Sequence, residues 1–334
     1  MKIAIVGLGA VGGYVGARLA RTATATRTVV ALARGATLLA LREHGLTLRE
    51  SGQTAQVPIA ATDDARTLGV QDLVVIAVKG PALATLAAGI APLIGAGTVV
   101  MPAMNGVPWW FLRTAAMSGR LAADQRQLAS VDPHGRIAAA LPLSQVLGCV
   151  VHFTCSSPAP GVVQHGFGDR LIVGEPEGGL SDRVDSVAAV LRDAGFTVEA
   201  SSDIRRDIWF KLWGNMTMNP VSALTGATCD RILDDSLVRA FMLQAMAEAA
   251  AIGAAVGCPI EQSGQARMAI TRQLGAFKTS MLQDAEAGRP LEIDALVTAA
   301  HEIGSRVGVA MPAIGALLGL TRLMARTRGL APPA

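Results

Sequence analysis

The chain has 334 residues, of which 51% are hydrophobic and 16% charged, with 36 Gly but only 7 Phe, 4 Trp and 1 Tyr. This is more than one core usually spans and too apolar for disorder, so two globular domains are expected. A thinly spread net charge of +3 gives no nucleic-acid footprint, and no run reaches the roughly 18 apolar residues of a membrane span.

Residues 3–6 form a short apolar run ending in glycine, which reads as a buried strand, and residues 11–21 read as the helix after it. Strand and turn explain the apolar N-terminus better than a signal peptide does. Further strands are expected at 29–33, 46–48, 56–59, 72–78 and 98–101, with a helix at 83–94. This alternation argues for a doubly wound, mainly parallel sheet. The more polar stretch 119–142 reads as a surface excursion with a helix. Strands at 146–153, 170–173 and 197–200, with a helix at 180–194, close the first domain. From Asp203 on, long helical patterns take over, at 204–224, 236–256, 261–286, 292–307 and 312–327. The expected organisation is α/β over 1–200 and all-α over 201–330.

Four cysteines, Cys149, Cys155, Cys229 and Cys258, form no CxxC pair. The segment Cys149-Val150-Val151-His152-Phe153 reads as a strand rather than a metal site, and no metal is expected. Free buried thiols suit a reducing cytoplasm. The apolar helices after residue 236, with Met242 and Met246, leave core packing and a homodimer face both open.

Chemistry enters at Gly7-Leu8-Gly9-Ala10-Val11-Gly12, a GxGxxG turn between a strand and a helix, the context that a dinucleotide fingerprint requires. Gly7 permits the tight turn, Gly9 lets backbone approach a pyrophosphate, and Gly12 allows close helix–strand packing. The helix N-terminus faces the phosphate charge. At the end of the second strand the chain reads Ala31-Leu32-Ala33-Arg34-Gly35, with no acid to hold a ribose 2′-hydroxyl. Arg34 instead suits a 2′-phosphate, which favours NADPH over NADH. Lys79 and Asn105 follow other strand ends, where ligands of doubly wound sheets bind.

Lys211, Asn215 and Asn219, spaced i, i+4, i+8, share one helical stripe that also takes Ser222, opposite Trp209, Leu212, Trp213 and Met216. Pro220 is expected to kink this helix. Desolvation favours the neutral form of an amine and brings its pKa toward working pH, so a lysine in this setting suits general-acid work. Amide donors suit the developing charge on a ketone oxygen. Ser280 lies on a later helix, and Glu292 lies near the helix N-terminus after Gly288 and Pro290.

Trp209-Phe210-Lys211-Leu212-x-x-Asn215-x-x-x-Asn219-Pro220-x-x-Ala223-Leu224 and Ser280-Met281-Leu282-Gln283-Asp284, with Glu292-Ile293-Asp294 following, resemble the ketopantoate reductase (2-dehydropantoate 2-reductase) family. The resemblance covers nearly the whole chain. It implies a Rossmann-type NADP-binding domain over 1–200 and a helical substrate domain over 201–330, in the manner of 6-phosphogluconate dehydrogenase, with a cleft between them. It implies NADPH as hydride donor and a small 2-keto acid as substrate, most specifically 2-dehydropantoate in pantothenate and coenzyme A biosynthesis. By the same match Lys211 is the catalytic acid, and Asn105 and Glu292 assist it. Asn215, Asn219 and Ser280 hold the substrate, and Arg34 and Lys79 contact the cofactor.

The chain departs from the family pattern at Lys79-Gly80-Pro81-Ala82, at Ala103-Met104-Asn105-Gly106, at Trp109-Trp110 and at Phe277. These departures keep two other readings in play: a D-2-hydroxy-acid dehydrogenase for bulkier or aromatic 2-keto acids, and a non-catalytic NADP sensor.

Overall fold

The computed structural model describes residues 1–331, and the chain divides into two compact units. Unit 1 takes Met1–Met104 and Gly135–Asp207, and unit 2 takes Asn105–His134 and the chain from Ile208 on. The sequence placed residues 1–200 in one continuous domain. The division runs differently because the segment after Met104 carries its own apolar anchor. Val107, Trp109, Trp110, Phe111 and Leu112 are all buried. Phe111 stacks on Trp209 with ring centroids 5.7 Å apart, and the Glu302 carboxylate accepts from the Ala129 and Ser130 backbone N–H groups at 2.9 and 3.0 Å.

Unit 1 opens with β1 (Lys2–Val6), α1 (Ala10–Arg21), β2 (Thr28–Leu32), α2 (Gly35–His44), β3 (Leu46–Glu50), β4 (Gln53–Val57), β5 (Ala60–Thr62), β6 (Leu73–Ile76), α3 (Gly80–Leu86) and β7 (Val99–Pro102). The excursion that follows holds the short α4 (Ala115–Ser118). The chain then returns as α5 (Arg136–Ala140), β8 (Gly148–Ala159), β9 (Val162–Gly174), α6 (Asp182–Asp193) and β10 (Thr197–Ser201). The first sheet runs β5-β2-β1-β6-β7, all parallel. Its central strands β1 and β6 are apolar on both faces, as a sheet covered on both sides requires. The doubly wound arrangement is therefore as expected. The strands after residue 146 do not extend it. With β3 and β4 they build a second, mixed sheet of order β10-β9-β3-β4, with β8 paired to β9. The helix expected at 83–94 starts at Gly80 and stops at Leu86, because Gly89 and Pro92 interrupt it and leave only a 3-10 turn at Ala91–Leu93.

Helix α1 is clamped to the second sheet by a polar cluster. Tyr14 Oη donates to Glu50 Oε1 at 2.7 Å, Arg18 donates to the same oxygen at 2.6 Å, and the Tyr14 ring stacks on His165 at 4.6 Å. Burial and the bond to Glu50 raise the Tyr14 pKa. Burial opposes the charge on Glu50, but hydrogen bonds from Tyr14 and Arg18 outweigh it and hold the carboxyl below its usual range.

Unit 2 is helical: most of α7 (Ile204–Thr225), then α8 (Cys229–Asp234), α9 (Ser236–Ala255), α10 (Gly264–Arg272), α11 (Ser280–Glu286), α12 (Ala299–Arg306) and α13 (Pro312–Thr327), with a π-helical turn at Asp294–Thr298 before α12. The single helix expected at 261–286 is two. Gly275 turns the chain at φ +63°, and the Thr279 hydroxyl caps a fresh start by accepting from Leu282 N at 3.2 Å. Helix α7 runs unbroken through Pro220. By length and mean hydropathy of 1.3, α9 matches a membrane-spanning helix, although no single apolar run of that length is present. Arg239, Gln244 and Glu248 interrupt it, and Glu248 caps α13 by accepting from Ala313 N and Ile314 N at 2.9 and 2.8 Å. Met242 and Met246 are buried within the unit, so of their two readings the structure selects core. All four cysteines are free, and burial pushes the Cys155 thiol up to about 12.

Replacing Glu50 by Gln leaves Arg18 and Tyr14 facing a weaker acceptor, and should cost about 1–3 kcal/mol at neutral pH. A depressed carboxyl stabilises above its unfolded pKa and loses that contribution as pH falls through the folded value. Urea melts of wild type and E50Q should therefore differ at pH 7 and converge as the pH drops below 4.5, the unperturbed value.

Candidate active site

In unit 1 the turn Gly7 to Gly12 connects β1 to α1. Gly7 has φ +87° and donates its N–H to Leu32 O at 3.1 Å. A Cβ there would lie 2.5 Å from Val78 Cγ1, and one at Gly12 would collide with the Gly7 carbonyl oxygen. Both positions are therefore closed to any larger residue. Gly9 is the opposite case: it is exposed, and a Cβ on it would meet nothing within 4 Å. It stands at the N-cap of α1, whose first turn has neither a side-chain cap nor an acidic residue. The helix thus presents unpaired N–H donors and the positive end of its dipole across an open backbone, which fits a pyrophosphate.

Arg34 stands at the N-cap of α2 with an exposed side chain that makes no hydrogen bond or ion pair among the described residues. Lys79 is half-buried at the N-cap of α3, just past β6. Leu8 is buried, whereas Ala10 and Val11 are half-buried on the first turn of α1.

In unit 2 the sequence-derived stripe lies on α7. Trp209, Leu212, Trp213 and Met216 are buried on its other side, and the indole N–H groups of Trp209 and Trp213 donate to the carbonyls of Ala249 and Met246 at 3.1 and 2.8 Å. These bonds fix the rotation of α7 and so the direction of Lys211. Its Nζ donates to Asn105 Oδ1 at 2.7 Å. The two residues are 106 positions apart in sequence and share one site.

Asn105 is held by its neighbours. Gly106 has φ +88°, and a Cβ there would lie 2.6 Å from both the Cβ and the carbonyl oxygen of Ala295. Val107 N donates to that same oxygen at 2.8 Å. Ala295 lies in the π-helical turn, a geometry common at functional sites. Half-buried Glu292 lies three residues before Ala295 and precedes the helical start. Asn215, half-buried, Asn219, buried, and Ser280, exposed at the start of α11, make no side-chain hydrogen bond to any described residue. Three polar groups are therefore left available for a ligand. Gly106 and Ala295 did not stand out in the sequence, because their role is to fit each other across a tertiary contact.

Two family models match, Ketopantoate reductase PanE/ApbA over residues 3–109 and Ketopantoate reductase PanE/ApbA C terminal over residues 203–325. A 2-dehydropantoate 2-reductase from Mesorhizobium japonicum is 42% identical over 98% of this chain and 99% of its own. The chain belongs to the ketopantoate reductase family. A solved structure named for ketopantoate reductase from Ralstonia solanacearum MolK2 is 62% identical with a TM-score of 0.93, and covers 98% of this chain and 99% of that one. A PanE/ApbA family ketopantoate reductase from Ralstonia eutropha JMP134 is 26% identical, with a TM-score of 0.81 over 98% of this chain and 100% of that one. The chain is thus an oxidoreductase of the ketopantoate reductase family with an α/β unit and a helical unit. Trp109 and Trp110 are buried, at 3% and 0% exposure.

Substituting Gly106 by Ala forces a left-handed φ on a residue with a Cβ and drives that Cβ into Ala295. A loss of at least about 2 kcal/mol is expected in denaturant melts, along with release of the Lys211–Asn105 bond. The release can be read as a change in the amide signals of Asn105 by NMR.

Proposed function

We propose that this chain is an NADPH-dependent reductase of a 2-keto acid, with 2-dehydropantoate as substrate and Lys211 as general acid. The observation that carries the proposal is the 2.7 Å bond between Lys211 Nζ and Asn105 Oδ1. An ammonium has three donors. Asn105 accepts from one of them and so aims the group. Bound NADPH supplies the hydride. The chain's own part is to hold the dinucleotide, orient the keto acid and deliver one proton from Lys211 Nζ to the oxygen as it gains negative charge. Glu292 assists at the same centre, and Asn215, Asn219 and Ser280 offer their unused polar groups to the substrate.

Residues Gly7 to Gly12 would hold the pyrophosphate, with Lys79 and Asn105 as further cofactor contacts. Arg34 supports NADPH over NADH, since its guanidinium has no internal partner and no acid stands beside it at the end of β2. The product would serve pantothenate and coenzyme A synthesis, and four free cysteines agree with a cytoplasmic setting.

Purified protein assayed with NADPH should turn over 2-dehydropantoate in preference to branched or aromatic 2-keto acids. Equal or better turnover of the latter would instead support a dehydrogenase of bulkier acids, and NADPH binding without any turnover would support the sensor. Lys211→Ala should lower kcat by about 100-fold or more with dinucleotide affinity near wild type, and unchanged turnover would remove the assigned role. Arg34→Ala should raise the KM for NADPH by about 10-fold or more while leaving that for NADH nearly unmoved.

A further inference from the structure

Helix α7 carries a second ridge beside the Lys211–Asn215–Asn219 stripe, formed by Phe210 and Gly214. Glycine in a helix interior costs about 1 kcal/mol relative to alanine, so Gly214 needs a reason. The reason is Arg267 of α10. A Cβ at Gly214 would lie 3.0 Å from Arg267 Nη2 and 3.1 Å from Nε, while the guanidinium carbon sits 5.5 Å from the centre of the Phe210 ring. The missing side chain makes a slot, and the guanidinium lies in it. The slot is next to Asn215 in sequence and one turn from Lys211.

This cation has no counter-charge of its own. Its Nε is buried without a hydrogen-bond partner, and no carboxylate or carbonyl among the described residues accepts from any guanidinium nitrogen. Its terminal nitrogens are not among the buried unpaired atoms, so a ligand can reach them. Burial also lowers its pKa, the mark of a charge taken from water without compensation. A desolvated, unpaired cation is costly. Two other part-buried arginines show the usual arrangement: Arg18 pairs with Glu50 and Arg183 with Glu175. A planar fork stacked on an aromatic ring, with its end nitrogens unused, is shaped for one chemical class, a carboxylate bound by two parallel hydrogen bonds.

We propose that Arg267 is the residue that recognises the carboxylate of the 2-keto acid, pairing end-on through Nη1 and Nη2. Asn215, Asn219 and Ser280 are then free for the substrate's other oxygens. This inference rests on the keto-acid reading of the site and assigns within it the residue that makes an acid, rather than a neutral ketone, the substrate. The slot at Gly214 positions the fork, and Phe210 covers one of its faces.

The test compares wild type, Arg267→Met and Arg267→Lys. With a turned-over 2-keto acid, R267M should raise KM by about 10- to 100-fold with a smaller change in kcat. It should also abolish the preference for the acid over its neutral methyl ester. R267K, which keeps the charge but not the fork, should fall between the two. Because Arg267 is uncompensated in the free protein, R267M should melt at or above the wild-type temperature. Calorimetric binding of oxamate, an unreactive 2-keto acid mimic, should be lost in R267M. Unchanged acid-over-ester preference, or equal oxamate binding by wild type and R267M, overturns the assignment. So does a lower melting temperature with kinetics intact, which would make Arg267 a packing residue. If wild type reduces no 2-keto acid, the reductase reading fails by itself, and the oxamate arm still decides whether Arg267 binds carboxylates.

Discussion

The hydrogen bond from Lys211 to Asn105 is the interaction on which the arrangement of the helical unit's polar groups depends. A lysine on a helix is a flexible cation with many rotamers. A lysine tied to an amide that is itself pinned has one direction. Asn105 is pinned because Gly106 fits against Ala295 with no room for a Cβ, and because Val107 donates to the carbonyl of Ala295. The other end is fixed by packing: buried Trp209 and Trp213 hold α7 at one rotation through bonds to the carbonyls of α9. Pre-organisation of this kind holds the ammonium in one place without further reorganisation of its surroundings.

The α/β unit rests on a comparable constraint. Its Gly-rich turn works only if α1 starts close to β1 and keeps its N-terminus open. Gly7 and Gly12 allow the approach, and the Tyr14–Glu50–Arg18 cluster anchors the helix body to a second sheet. At Gly9 nothing fills the space beside the backbone. Steric closure on one side of the turn and vacancy on the other together keep the start of α1 close to β1 and open at Gly9.

Much of this was legible in the chain itself. The strand–glycine–helix register at residues 3–21, the parallel alternation and the Lys211–Asn215–Asn219 stripe all follow from local periodicity, and each matches the architecture observed. Two of the misreadings turned on a long-range partner. Residues 105–134 fell inside the expected first domain of 1–200, because nothing local says that Phe111 will stack on Trp209 of α7. The strands at 146–153 and 170–173 read only as closing the first domain, because strand pattern carries no label of the sheet it joins. The break between α10 and α11 was hidden because Gly275 inside a helical pattern is tolerated more often than it terminates.

The sequence by itself determined the dinucleotide turn, the order of α/β then α, and the residue types available for acid catalysis and substrate contact, because these rest on spacing along a strand or helix. Only the tertiary structure decided which of those residues meet. It joined Asn105 to Lys211, set Gly106 against Ala295, and placed an uncompensated Arg267 in the slot left by Gly214. The physical reason is the same in each case: a side chain's direction, desolvation and partner are set by what packs against it, and that information lies far away in the chain.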